Sequence, residues 1–159
     1  MDQQSGSAGR GARLFGHPLH PMLTDLPIAL WLISLLADLA ALWQHRPIFR
    51  QFALWNIAIG LIASAPTIVA GLIDFAAIPP NHPALKAANW HMWIMLSAAS
   101  AYGGSLIARL TSSSTLSMGI AIGLSALGLG LLLVGGWFGG EMVFRYGLGS
   151  GDNSSPKST

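Results

Sequence analysis

The chain contains no cysteine. Disulfides, iron–sulfur ligation and thiolate metal sites are therefore excluded, and nothing in the sequence reports the redox compartment. Charge is almost as scarce. Only 9% of the 159 residues are Asp, Glu, Lys or Arg, against about 25% in an ordinary soluble domain. So few charges cannot cover a globular surface. The net charge of +2 lies mostly in tails and loops rather than on one face, which gives no basis for nucleic-acid binding. A nucleophile–base–orienter set is also missing, because Ser112 to Ser114 and Ser117 fall on the side opposite the histidines.

What the chain has instead is apolar length: 52% of its residues are hydrophobic. Four runs, at about 22–43, 52–73, 88–109 and 116–138, are each long enough to span a bilayer. The first is too long for a signal-peptide core, and no small-x-small cleavage site follows it. The expected architecture is an all-α, four-transmembrane-helix bundle with both termini on the same side. Residues 1–15 and 150–159 read as flexible tails around a transmembrane domain at 16–149. Pro66 predicts a kink in the second span, 78–83 a proline-stiffened loop, and Trp90 and Trp93 an interfacial aromatic belt.

Two small-residue faces predict close helix packing. One is Asn56, Gly60, Ser64, Thr67, Gly71 and Asp74. The other is Gly119-x-x-x-Gly123, continued by Ala126 and Gly130. The Gly-rich faces also suit a homo-oligomer.

The stretch Gly16-His17-Pro18-Leu19-His20-Pro21-Met22-Leu23-Thr24-Asp25-Leu26-Pro27 stands where the polar tail meets the first apolar run. A residue before proline is pushed towards extended geometry. His17 and His20 are therefore expected in a stiff, non-helical collar, with Thr24 and Asp25 as candidate N-caps and Pro27 in the opening turn. Four spans collect His17, His20, Asp25, Asp74, His82, His91, Glu141 and Arg145 at one face. Asp38 lies near the other, where it is expected to pair with an arginine among Arg46, Arg50 and Arg109. No ionisable residue falls near mid-membrane, around Ser34, Ala63, Ala99 and Leu127, which argues against a transport conduit.

The histidine rim supports more than one reading. His91 with His17 or His20 could ligate a b-type haem, with Arg145 pairing a propionate. His17, His20, His91, Asp25, Asp74 and Glu141 could instead supply a divalent metal site. Equally, these groups could cap helices and bond to one another and to headgroups, with no cofactor at all.

The collar and the ending Gly139-Gly140-Glu141-Met142-Val143-Phe144-Arg145-Tyr146-Gly147-Leu148-Gly149 resemble a family of bacterial membrane proteins, the domain of unknown function 2231 family. Asp38, Gly71-x-x-Asp74 and His91 are similar too. The resemblance implies a four-helix membrane module. Some relatives are joined to Rieske-type or cytochrome c-type domains, which implies redox surroundings. Many relatives carry Asn where this chain has Met95, and many carry His near Glu141.

The expectation is thus a multi-pass protein of the inner (cytoplasmic) membrane, acting as a non-catalytic subunit or anchor beside membrane redox proteins. The alternative is a haem- or metal-binding protein. The distribution of Lys and Arg leans slightly towards cytoplasmic termini.

Overall fold

A computed structural model describes residues 11–111 and 114–148. A short hairpin, β1 (Arg13–Leu14) and β2 (His17–Pro18), precedes four helices: α1 (Leu19–Gln44), α2 (Pro47–Ala76), α3 (Leu85–Thr111) and α4 (Thr115–Tyr146). Each helix exceeds its expected span, α4 most of all. At about 1.5 Å per residue its 32 residues reach about 48 Å, well beyond a hydrocarbon core of about 30 Å. The extra turns run through Gly139-Gly140, and within them Glu141 and Arg145 pair along the helix at 2.8 Å. They stop at Gly147, whose φ of 65° is the left-handed geometry of a Schellman cap. Leu148 N–H closes the motif on the Met142 carbonyl.

The bundle is built inside out relative to a soluble one. Leu, Ile, Val and Trp side chains cover the exterior, including Trp43, Ile62, Leu133 and Trp137. Around a central cluster of Trp31, Ile57, Tyr102 and Leu132 the interior is small or polar: Ala53, Ala98 and Ala121, with Ser34, Asn56, Ser64, Thr67, Ser105 and Ser125. Lipid gives helices no hydrophobic reason to associate, so close approach and interhelical hydrogen bonds must hold them. Among the described residues α1, α2 and α4 are long and apolar enough to cross a membrane. α3 falls short because Lys86, Asn89, His91, Ser97, Ser100, Ser105 and Arg109 lower its hydropathy. Ser105 and Arg109 nevertheless point inward and are buried.

α1 packs tightly on α2 and α3 on α4, and the two hairpins meet more sparsely along α2/α3 and α1/α4. Across the centre, α1 and α3 face each other in one register. His20 lies against His91, Trp31 stacks on Tyr102, and Asp38 binds Arg109. Each pair is separated by the same 71 residues. Ser34 and Ser105, both fully buried, are a fourth such pair. On the other helices Ala53, Gly60, Thr67 and Gly71 are matched in spacing and role by Ala121, Gly128, Gly135 and Gly139. The domain is therefore two copies of one helical hairpin related by an approximate two-fold axis along the bundle.

Four expectations are corrected. Residues 11–15 are not a loose tail. Arg13 and Leu14 form β1, and Ala12 is anchored by its N–H to Asp74 and its carbonyl to Leu19 N–H. The remaining tail positions, 1–10 and 150–159, lie outside the described residues. His20 is helical rather than extended, because α1 starts at Leu19 and Pro21 occupies its first turn, where a missing N–H costs nothing. Thr24 and Asp25 do not cap it: Pro18 holds the N-cap position, and Thr24 donates to the Pro21 carbonyl. Finally, Gly119, Gly123 and Gly130 do not close the bundle, since a Cβ at any of them would meet nothing. The intramolecular face of α4 is Ala121, Ser125, Gly128, Leu132 and Gly135.

Candidate cofactor site

Pro27 shows how sequence positions the rim. Lying inside α1, it has no N–H to offer the Leu23 carbonyl. Thr67 of α2 supplies the missing donor, its hydroxyl bonding Leu23 O at 3.1 Å. The same residue's backbone carbonyl lies 2.9 Å from His20 Nδ1. On the other hairpin the Gly135 carbonyl lies 2.8 Å from His91 Nδ1. A carbonyl only accepts, so each Nδ1 carries the proton, and in the neutral ring the lone pair is left on Nε2. No group among the described residues bonds either Nε2.

The two rings are 6.2 Å apart between centroids and nearly perpendicular, at 88°. Both line a cavity of about 440 Å³ that runs between the hairpins and touches all four helices, within the usual size range of cofactor pockets. Its walls are mostly apolar, with Ile28, Met92, Met95, Leu96 and Leu132 among them. Trp31, stacked at 4.4 Å on Tyr102, lies at its deep end. The β1–β2 hairpin lies at the other end, where Gly11, Ala12 and Arg13 line the cavity beside Asp74.

The rest of the expected site separates. His17 is exposed on β2, Asp25 is exposed on α1, and neither lines the cavity. Asp74 lines it, but one carboxylate oxygen accepts the Ala12 N–H at 2.6 Å. Arg145 pairs with Glu141 and lies over the Tyr146 ring at 5.4 Å, and neither Arg145 nor Glu141 lines the cavity. His82 accepts the Ala84 N–H through Nδ1 and packs against Tyr146. Among the described residues, no group of three or more His, Asp or Glu side chains is placed to hold a metal ion. The protein thus offers a ligand two imidazoles and an apolar slot.

At the opposite end, Asp38 finds Arg109. The guanidinium forks onto the carboxylate at 2.8 and 2.6 Å, and both side chains are buried. Arg109 also donates to Ser105, whose hydroxyl bonds the Ala121 carbonyl and meets Ser125. Reading motifs one at a time finds Thr67, Gly71 and Gly139 but misses Gly135 and the part all four play beside the histidines. The signal that finds them is the repeated spacing Ala-x6-Gly-x6-[Thr/Gly]-x3-Gly in α2 and α4, which accompanies His-x10-[Trp/Tyr]-x2-Ser-x3-[Asp/Arg] in α1 and α3.

No curated protein and no solved structure matches the chain. A family model does, over residues 16–152. That span takes in the collar, both hairpins and the rim, so the chain belongs to the family described as predicted membrane protein (DUF2231).

Proposed function

We propose that the protein is a four-span protein of the inner membrane that holds one b-type haem between its two hairpins, with His20 and His91 as axial ligands. It serves as a non-catalytic membrane subunit or anchor beside redox proteins, its termini on one side and leaning cytoplasmic. The observation that supports this reading is the imidazole pair: two rings with Nδ1 anchored and Nε2 unbonded, 6.2 Å apart. His20 and His91 would hold the iron through those unbonded nitrogens.

The donor set narrows the ligand. A bare divalent cation held by protein needs three or four donors, and among the described residues no third His or carboxylate is placed to join the two imidazoles. A tetrapyrrole brings four equatorial nitrogens and asks the protein for two axial ones. Its flat apolar body suits a slot between loosely apposed hairpins. Each imidazole also has the outer hydrogen bond that fixes ring orientation and tautomer in metal-binding histidines. Bound there, the iron would supply one-electron chemistry. The protein's share is to orient two rings and exclude water.

The test is haem reconstitution of the full chain in mild detergent. A stoichiometric Soret band with low-spin character is expected, lost in His20→Ala and in His91→Ala. A folded, monodisperse protein that takes up no haem would defeat the proposal. So would a Soret band unchanged in both variants.

A further inference from the structure

We propose that Gly71 and Gly139 are positioning residues of the imidazole pair, each opening a helix carbonyl to a histidine from the neighbouring helix. In an α-helix the carbonyl of residue i faces the N–H of residue i+4, and the side chain at i+4 flanks it. Thr67 and Gly71 stand in that relation in α2, and Gly135 and Gly139 in α4. At both sites the i+4 residue is glycine, and at both the uncovered carbonyl receives an imidazole Nδ1. A Cβ on Gly71 would lie 2.9 Å from both Nδ1 and Cε1 of His20. On Gly139 it would lie 3.3 Å from Cε1 and 3.4 Å from Nδ1 of His91. The ring therefore rests where a side chain would otherwise be.

The two sockets occupy equivalent positions in the repeated hairpins, so the arrangement occurs twice in one chain. Its effect is to choose the tautomer. With Nδ1–H spent on the carbonyl, the Nε2 lone pair is the free ring nitrogen. Only the haem readout below rests on the proposed function; the tautomer readout needs no ligand.

The experiment uses the full chain with nitrogen-labelled histidine, as wild type, Gly71→Ala and Gly139→Ala, with Gly119→Ala as a control in open space. In wild type both rim histidines are expected as the Nδ1–H tautomer with a hydrogen-bonded proton. Gly71→Ala should disturb His20 alone and Gly139→Ala His91 alone. The first effect should be larger, since contacts of 2.9 Å must yield more than contacts of 3.3 Å. On haem addition Gly71→Ala should lose at least about ten-fold in affinity, the lower end for removing an outer partner of a metal ligand. Gly119→Ala should leave tautomer and affinity unchanged. Unaltered histidine signals in both Gly71→Ala and Gly139→Ala would overturn the inference whether or not haem binds. Intact wild-type sockets in a protein that takes no haem would overturn the proposed function and leave the sockets standing.

Discussion

At the scale of single residues, the glycines divide into two kinds. Gly60 and Gly128 receive the buried Trp31–Tyr102 stack: a Cβ on Gly60 would stand 2.5 Å from Trp31 Nε1, and one on Gly128 2.6 Å from Tyr102 Cε2. The rings cannot retreat, because they lie 4.4 Å apart on each other. Gly60→Ala and Gly128→Ala should each destabilise by roughly 1–3 kcal/mol. Gly123→Ala should be neutral or stabilising by up to about 1 kcal/mol, through helix propensity. Thermal unfolding in detergent checks the contrast, and equal effects at all three would show that the stack does not set the spacing. The histidine planes carry a second expectation. With rings 88° apart, the haem-loaded ferric protein should give a strongly anisotropic low-spin electron paramagnetic resonance signal. A signal characteristic of parallel rings would show that ligand binding reorients them. The stripe from Asn56 to Thr67 was legible in the sequence, since small and polar residues at helical spacing have one reason to be together. The role of Gly71 and Gly139 was not. A glycine's effect lies in what approaches it, and here the neighbour comes from another helix.

At the scale of elements, the N-terminal hairpin is an added piece with its own strain. Phe15 and Gly16 turn it with φ of 50° and 85°, the double positive of a type I′ turn, which favours Asn-Gly or Gly-Gly. Phe15 is 94% exposed, so packing within the chain does not explain its place. Gly16→Ala should cost the hairpin roughly 1 kcal/mol, and Phe15→Asn should ease it. Asp74→Ala removes the acceptor of the Ala12 N–H and should speed amide exchange over residues 11–19 without altering exchange in α3. Unchanged exchange there would mean that Asp74 does not hold the hairpin. Read as sequence, Arg13 and Leu14 looked like the end of a tail, because two-residue strands leave no periodicity. The four helices, by contrast, announce themselves through length and apolarity. α3 remains the marginal one: His91, Ser105 and Arg109 serve the bundle's interior, while Lys86, Asn89, Ser97 and Ser100 are exposed on its outer side.

At the scale of the whole molecule, the proposed topology is directly testable because the chain has no cysteine. Single substitutions His45→Cys and Asn81→Cys should react with a membrane-impermeant maleimide from opposite sides of sealed vesicles. Labelling from the same side would rule out four spans in this order. The ion pair at the far end was legible as a pairing, since Asp38 stood near several arginines. Which arginine it takes depends on the register of α1 against α3, which only the assembled bundle reveals. Asp38→Asn or Arg109→Met should each cost roughly 3–5 kcal/mol by stranding a buried charge, whereas Asp38→Leu with Arg109→Met should recover much of it. Unfolding midpoints of the three variants decide this.

That pair has a consequence for assembly. Asp38 and Arg109 occupy the same position in the two copies of the hairpin, so a hairpin meeting its own duplicate would set aspartate against aspartate or arginine against arginine. Like charges held in lipid repel strongly, and opposite charges attract. The two halves of the chain therefore recognise each other as unlike partners although they share one architecture. Pairing of two first hairpins or of two second hairpins from neighbouring molecules is thereby disfavoured, and the histidine of α1 is directed to that of α3.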